Sequence, residues 1–305
     1  MKRKLINIFE NSIPISILKK IKFIGIDEVS IYDVLKLYFT GIIKGELSSR
    51  ASGIAYNLFM SMFPLLILIF TLIPFLPNYE IIENYLFEFT LKAILPEEII
   101  FNNVHQYVKE NVISKKLEFL SSSMLLTLFF ATNGVNSLLE GFSKSYFNID
   151  SYNFIKQYLI AFLLTVGFII SFFLVLTLLY YSSVVENFVY QVNPIKSSSV
   201  LIISLYTFIL SFLILFIFYS ILYYFGSNFK ISFKWSLPGA LLSTLLFYLS
   251  IVFFGYYIKS LTQNNIFYGS IISVIIVMIW IYLNVVIILI GYELNLALSS
   301  LKNNL

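Results

Sequence analysis

Residues 270–291 read SIISVIIVMIWIYLNVVIILIG, twenty-two consecutive residues without a charge. Wound as a helix rising 1.5 Å per residue, the run is about 33 Å long, enough to cross a hydrocarbon core of roughly 30 Å. Five further runs of the same kind precede it, at about 53–75, 119–140, 158–181, 200–225 and 237–258. Asn133, Gly134, Asn136 and Glu140 interrupt the C-terminal half of the second run. The whole chain matches this reading: 59% of its residues are apolar and 12% charged, against about half and about a quarter in a soluble domain. The sequence therefore predicts an all-α fold, a polytopic integral membrane protein with about six transmembrane helices.

Outward from the spans, residues 1–47 form a basic N-terminal region, 48–298 the membrane domain and 299–305 a short tail. Met1-Lys2-Arg3-Lys4 resembles the start of a signal peptide, but Glu10, Asn11 and Pro14 break the apolar stretch and no small-residue cleavage site follows, so no cleaved signal is expected. Ser30 and Asp33 have the spacing of a capping box, and Ile31, Val34, Leu35, Tyr38 and Ile42 fall on one face behind it. That pattern predicts an amphipathic interfacial helix. Between the first two spans, residues 76–118 hold seven Glu, the single His105 and two amphipathic patterns divided by Pro96, which predicts a small helical extracytoplasmic cap.

Basic loops stay on the cytoplasmic side. Nine Lys and Arg precede the first span, and the even-numbered connections and tail bring that side to fourteen, against six on the other. With an even number of spans, both termini are expected in the cytoplasm, in a cell membrane. The small net charge of +4 reflects this topology signal, and nucleic acid is not an implied partner.

Several chemistries are excluded at the outset. With no cysteine and one histidine, disulfides, thiol catalysis, Cys-ligated zinc and multi-His metal sites are ruled out. No nucleophile triad, phosphate-cradling glycine loop or metal-ligand cluster is present to support an enzyme or an ATP-driven pump. The expected partners are membrane lipids and a small-molecule or lipid substrate, with no cofactor.

The residues that can carry a membrane function are polar ones inside apolar runs, because such groups are costly in hydrocarbon unless paired or hydrated. In the first span Ser49, Gly53, Asn57 and Ser61 recur every four residues and form one small, polar stripe. It is either a close helix-packing face or the lining of a pathway. Arg50 stands at its cytoplasmic mouth, Tyr56 beside it, and Pro64 frees a backbone carbonyl in mid-span. Asn133, Asn136 and Glu140 share a face of the second span, while Asn284, Gly291 and Asn295 share a face of the last, with Glu293 near its end. Depth alone makes Arg50 a partner for Glu293 or Glu140.

The stretch Arg50-Ala-Ser-Gly-Ile-Ala-Tyr-Asn-Leu-Phe-Met-Ser-Met-Phe-Pro64, followed by Pro238-Gly-Ala, Tyr268-Gly269-Ser270, Trp280-x-Tyr282 and Gly291-x-Glu293-x-Asn295, resembles the YihY and virulence factor BrkB-like membrane proteins, once labelled ribonuclease BN. The resemblance covers roughly residues 30–300. It departs after the second span, where Gly141-Phe-Ser-Lys-Ser-Tyr-Phe147 replaces the family's Ala-Asn and aromatic. It implies a transporter or permease, with a lipid or other amphiphile as cargo. A scaffold or envelope assembly factor acting through the 76–118 cap is the alternative. The ribonuclease label does not fit these residues, since a hydrolytic zinc site needs several His and acidic ligands.

Overall fold

The computed structural model describes residues 22–23, 26–72, 106, 110, 123–147, 152–192, 197–226, 232–262 and 269–303. The expected cap at 76–118 and Tyr268 lie outside the described residues, apart from Gln106 and Glu110. A two-stranded antiparallel ladder, β1 (Lys22–Phe23) and β2 (Ile26–Ser30), precedes the helices. No pattern in the sequence announced it. Among the described residues seven helices follow: α1 (Ile31–Lys44), α2 (Leu47–Leu72), α3 (Ser123–Ser143), α4 (Phe154–Val192), α5 (Ser197–Phe225), α6 (Phe233–Thr262) and α7 (Gly269–Asn303).

Local chemistry fixes the start of α1. The Ser30 hydroxyl accepts the Asp33 amide at 3.2 Å, and the Asp33 carboxylate accepts the Ser30 amide at 3.3 Å. This reciprocal capping box satisfies donors that the first turn cannot pair internally. Asp33 in the first turn and Lys44 in the last also complement the helix dipole. Val34 and Tyr38 are buried, and Val34 packs against Leu298 of α7. The apolar face of α1 is thus turned at least partly onto protein. At its end Gly45 closes the helix through its amide to Gly41 O at 2.8 Å, and Glu46 follows with φ 48°. A non-glycine residue in the left-handed region costs about 1–3 kcal/mol. The surrounding contacts hold this joint between α1 and α2.

Among the described residues five helical segments are long and apolar enough to cross a membrane: Leu47–Ile69, Phe154–Ser182, Leu201–Phe225, Phe233–Tyr257 and Val274–Leu301. Their outward residues, such as Leu201, Ile202, Val252 and Phe253, are each at least two-thirds exposed. Apolar surface of this extent requires lipid as its solvent. The chain is an all-α polytopic membrane protein. α3 is a helix packed among these five, and its polar residues keep it out of the set that composition alone selects.

α2 packs on α3, α3 on α4, α4 on α5, α5 on α6, α6 on α7, and α7 returns to α2. All six helices contribute to one core. That core lies towards one end of the bundle, at the starts of α2, α4 and α6 and the ends of α3, α5 and α7. At its centre the rings of Phe142 and Tyr292 stack at 4.0 Å, and Tyr223 stands about 6 Å from both, at 6.1 and 6.2 Å. All three side chains are fully buried.

Glycine sets two close crossings. A Cβ on Gly239 would stand 2.1 Å from the Gly291 carbonyl oxygen, and one on Gly291 would meet Ser243 Oγ at 2.0 Å. Here α6 and α7 touch backbone to backbone. On α3, Gly134 and Gly141 receive Ser61 and Ile54 of α2; both pairs are seven residues apart, as expected for neighbouring helices running in opposite directions.

Candidate functional site

Two helix faces that are polar in the sequence meet along one groove between α2 and α3. Its mouth is a cavity of about 650 Å³ lined by residues that include Ser49, Arg50, Gly53, Asn57, Ser137 and Glu140. A second cavity of about 320 Å³ continues it along the two helices. Asn57, Ser137 and Glu140 line both, and Ser61, Pro64, Asn133 and Asn136 line the second.

The four-residue stripe of α2 divides along its length. Residues four apart on a helix are offset by about 40° around the axis, so Ser61 lies about 120° round from Ser49. Ser49, Gly53 and Asn57 are exposed to the groove, and nothing approaches within 4 Å of a Cβ built on Gly53. Ser61 is instead buried against Gly134. The pathway-type and packing-type readings of the stripe each describe one part of it. Pro64 lies inside α2 without ending it. Lacking an amide hydrogen, it leaves the Met60 carbonyl without its usual helical donor, and both residues line the deeper cavity. Tyr56 is 54% exposed and is not among the residues that line either cavity.

On α3 the polar face is organised by α4. Gln157 Nε2 donates to Asn136 Oδ1 at 2.9 Å, and Asn136 Nδ2 donates to Glu140 Oε1 at 2.8 Å. The Tyr158 hydroxyl donates to Asn133. Asn136 is thereby fixed in orientation, while Glu140 remains exposed.

Behind the mouth sits the buried charge pair that depth alone anticipated, with Glu293 and not Glu140 as the partner. Arg50 Nη2 lies 2.5 Å from Glu293 Oε1, with the two side chains 6% and 0% exposed. Arg50 Nη1 also donates to the Gly141 carbonyl at 3.0 Å. The Ser145 hydroxyl stands 2.9 Å from both carboxylate oxygens of Glu293. From α1, a Cβ on Gly41 would approach Glu293 Oε2 to 3.1 Å. Tyr38 lies close enough for burial, and secondarily the Glu293 charge, to push its phenol up to about 12. α1, α2, α7 and the turn after α3 therefore converge on one carboxylate. Arg50 Nε is buried with no hydrogen-bond partner among the described residues.

The remaining residues of α7 serve other places. Asn295 Oδ1 accepts the Gly239 amide at 2.7 Å, and its Nδ2 donates to the Ser236 carbonyl at 3.0 Å. These bonds flank Pro238, which cannot take its own place in the ladder of α6. Gly291 is the α7 half of the backbone crossing. Asn284 donates to the Trp280 carbonyl at 2.8 Å, and its buried oxygen has no partner among the described residues. Neither Asn284 nor Glu293 is among the lining residues of the groove. Gly269 opens α7.

Sequence reasoning missed Gly41, Gly45, Gln157, Tyr158, Ser145, Lys44 and Lys144. Gly41 and Gly45 carried a faint signal as two glycines in the last turn of an amphipathic helix; Ser145 carried none. Among the described residues, no three His, Cys, Asp or Glu gather as metal ligands.

No solved structure matches the chain at a significant level. A ribonuclease-like protein, YfkH of Bacillus subtilis, is 27% identical over 276 residues, 88% of this chain and 96% of that one. A UPF0761 membrane protein of Psychromonas ingrahamii is 23% identical over 254 residues, 82% of each chain. Another, PSHAa0171 of Pseudoalteromonas translucida, is 36% identical over 72 residues, 24% of each. The family model described as Virulence factor BrkB matches residues 38–304, from the middle of α1 to the end of α7, and the chain belongs to that family.

Proposed function

We propose that the protein is a transporter or permease that moves a lipid or other amphiphile along the groove between α2 and α3. The observation that carries this reading is the continuity of the two cavities through Asn57, Ser137 and Glu140. A hydrophilic groove on the flank of an apolar bundle lets a polar head travel beside protein while its apolar part stays in lipid. Exposed polar residues inside a span are costly unless water or a ligand's polar group meets them, and here they are held in register by Gln157 and Tyr158.

In this reading α3 is the sixth span and both termini are cytoplasmic. Support comes from the helix ends: Lys44, Lys144, Lys156, Lys234 and Lys302 all lie at the end of the bundle that holds Arg50 and Glu293. The groove then opens towards the cytoplasm, and its occupants are membrane lipids or an amphiphilic small molecule.

The test is reconstitution of the purified protein into liposomes, following both fluorescent-lipid movement and proton-coupled uptake. Movement above empty vesicles is expected, and Asn57→Leu or Glu140→Leu should reduce it about tenfold while the protein stays folded. Wild-type protein indistinguishable from empty vesicles in both assays refutes the proposal.

A further inference from the structure

The mouth of the groove carries a balanced set of charges in a particular order. Lys44, Arg50 and Lys144 line it together with Glu46 and Glu140. Arg50 is already committed to Glu293, which leaves two ammonium groups and two carboxylates facing the space. Among the described residues no ion pair joins them. Lys44 Nζ stands 5.4 Å over the Tyr146 ring, which holds it at the rim. Lys144 follows α3 directly, its amide donating to the Glu140 carbonyl at 3.3 Å, which sets it one turn from Glu140, about 6 Å along the axis. Only Glu140 of these four reaches into the deeper cavity.

A purely anionic head seated here meets Glu140 and Glu46; a purely cationic one meets both lysines. A group with a negative and a positive end satisfies both sets. The negative end has a second support, because the Nε of Arg50, a residue of this wall, is a buried donor without an acceptor among the described residues. Below Glu140, Met60 and Phe130 give the second cavity an apolar side.

We infer that the groove is a binding site for a zwitterionic head carrying a phosphate and a primary amine joined by a short link, with the phosphate at Lys44 and Lys144 and the ammonium on Glu140. This deepens the amphiphile reading and rests on the same groove. The chemistry is shared by a phosphoethanolamine lipid and by free O-phosphoethanolamine; the apolar side of the deeper cavity favours the lipid.

Binding to the full-length protein in a non-ionic maltoside detergent tests it, with lysolipids of one acyl chain bearing phosphoethanolamine or phosphoglycerol heads, and with free O-phosphoethanolamine as competitor. Wild-type protein should bind the zwitterionic lysolipid at least about fivefold more tightly than the anionic one. Glu140→Gln should abolish or invert that preference, and Lys144→Gln should weaken both ligands. Both substitutions are in the groove wall, and unchanged melting temperatures show that the variants fold. Competition by O-phosphoethanolamine supports the site and assigns a free headgroup as sufficient; competition only by the lysolipid supports it and assigns a lipid. Equal binding of both heads by wild type, or a preference unchanged in Glu140→Gln, overturns the inference. Lipid movement without head preference overturns this inference alone, and head preference without movement overturns only the transport reading.

Discussion

Arg50 Nη2 lies 2.5 Å from Glu293 Oε1, joining the first turn of α2 to α7 in the interior of the protein. Losing one member of a buried pair leaves an uncompensated charge and costs about 3–5 kcal/mol, whereas replacing both with apolar groups of similar size is often neutral. Arg50→Met and Glu293→Leu should each lower the apparent melting temperature sharply. The double variant R50M/E293L should recover most of that loss. A double variant as unstable as the sum of the singles would show that the two residues are energetically uncoupled and would contradict the pair.

The meeting of Gly239 and Gly291 gives a steric prediction. A methyl at either position starts 2.0–2.1 Å from its nearest atom, so the helices must separate. Overpacking of this kind costs typically about 1–3 kcal/mol. Gly291→Ala should be worse than Gly53→Ala, because Gly53 has no neighbour within 4 Å of a Cβ. Melting of the two purified variants side by side checks the order, and equal stability would contradict the crossing.

Much of this was legible in the residues, and the limits have physical causes. Hydropathy located the long helices α2–α7 of the described residues, five of them apolar enough to cross a membrane, because length and apolarity are local properties. The Ser30 and Asp33 cap was legible because capping depends on a four-residue spacing. The Arg50 and Glu293 pair was half legible: depth narrowed the choice, but only the position of α7 beside α2 decides between Glu140 and Glu293. Ser145 and Gly141 could not be found in advance, since their roles arise from the end of α3 and the turn after it being brought against a residue 148 positions away in one case and 91 in the other. The stripe of α2 was found, but its division at Ser61 follows from the angular drift of a four-residue repeat and from where Gly134 happens to lie.

Tyr38 supplies a pH dependence. Its phenol is raised from 10.0 to about 12, first by burial and then by Glu293. The folded protein therefore holds this proton more tightly than the unfolded chain. The associated stability is fully present below pH 10 and is lost as pH rises through about 12. Between those limits the wild type should lose apparent melting temperature faster than Tyr38→Phe, which has no proton to lose there. Parallel melting curves for the two proteins across that window would contradict the burial of this hydroxyl beside Glu293.

The natural chain has no cysteine, so a single introduced thiol reports on one position. Gly53 and Asn57 are exposed to the groove, whereas Ile54, between them in sequence, is 4% exposed and packs against Gly141. A membrane-impermeant maleimide needs an ionised thiol in contact with water. Gly53→Cys and Asn57→Cys should label readily in vesicles whose cytoplasmic face is outward, and Ile54→Cys at least about tenfold more slowly. In vesicles of the opposite orientation all three should be slow, because the wide mouth lies at the end of the bundle that carries Lys44 and Lys144. Fast labelling of Ile54→Cys would mean that α2 and α3 separate in the membrane. Fast labelling of Asn57→Cys from the opposite side alone would place the mouth outside and reverse the orientation inferred from the basic residues.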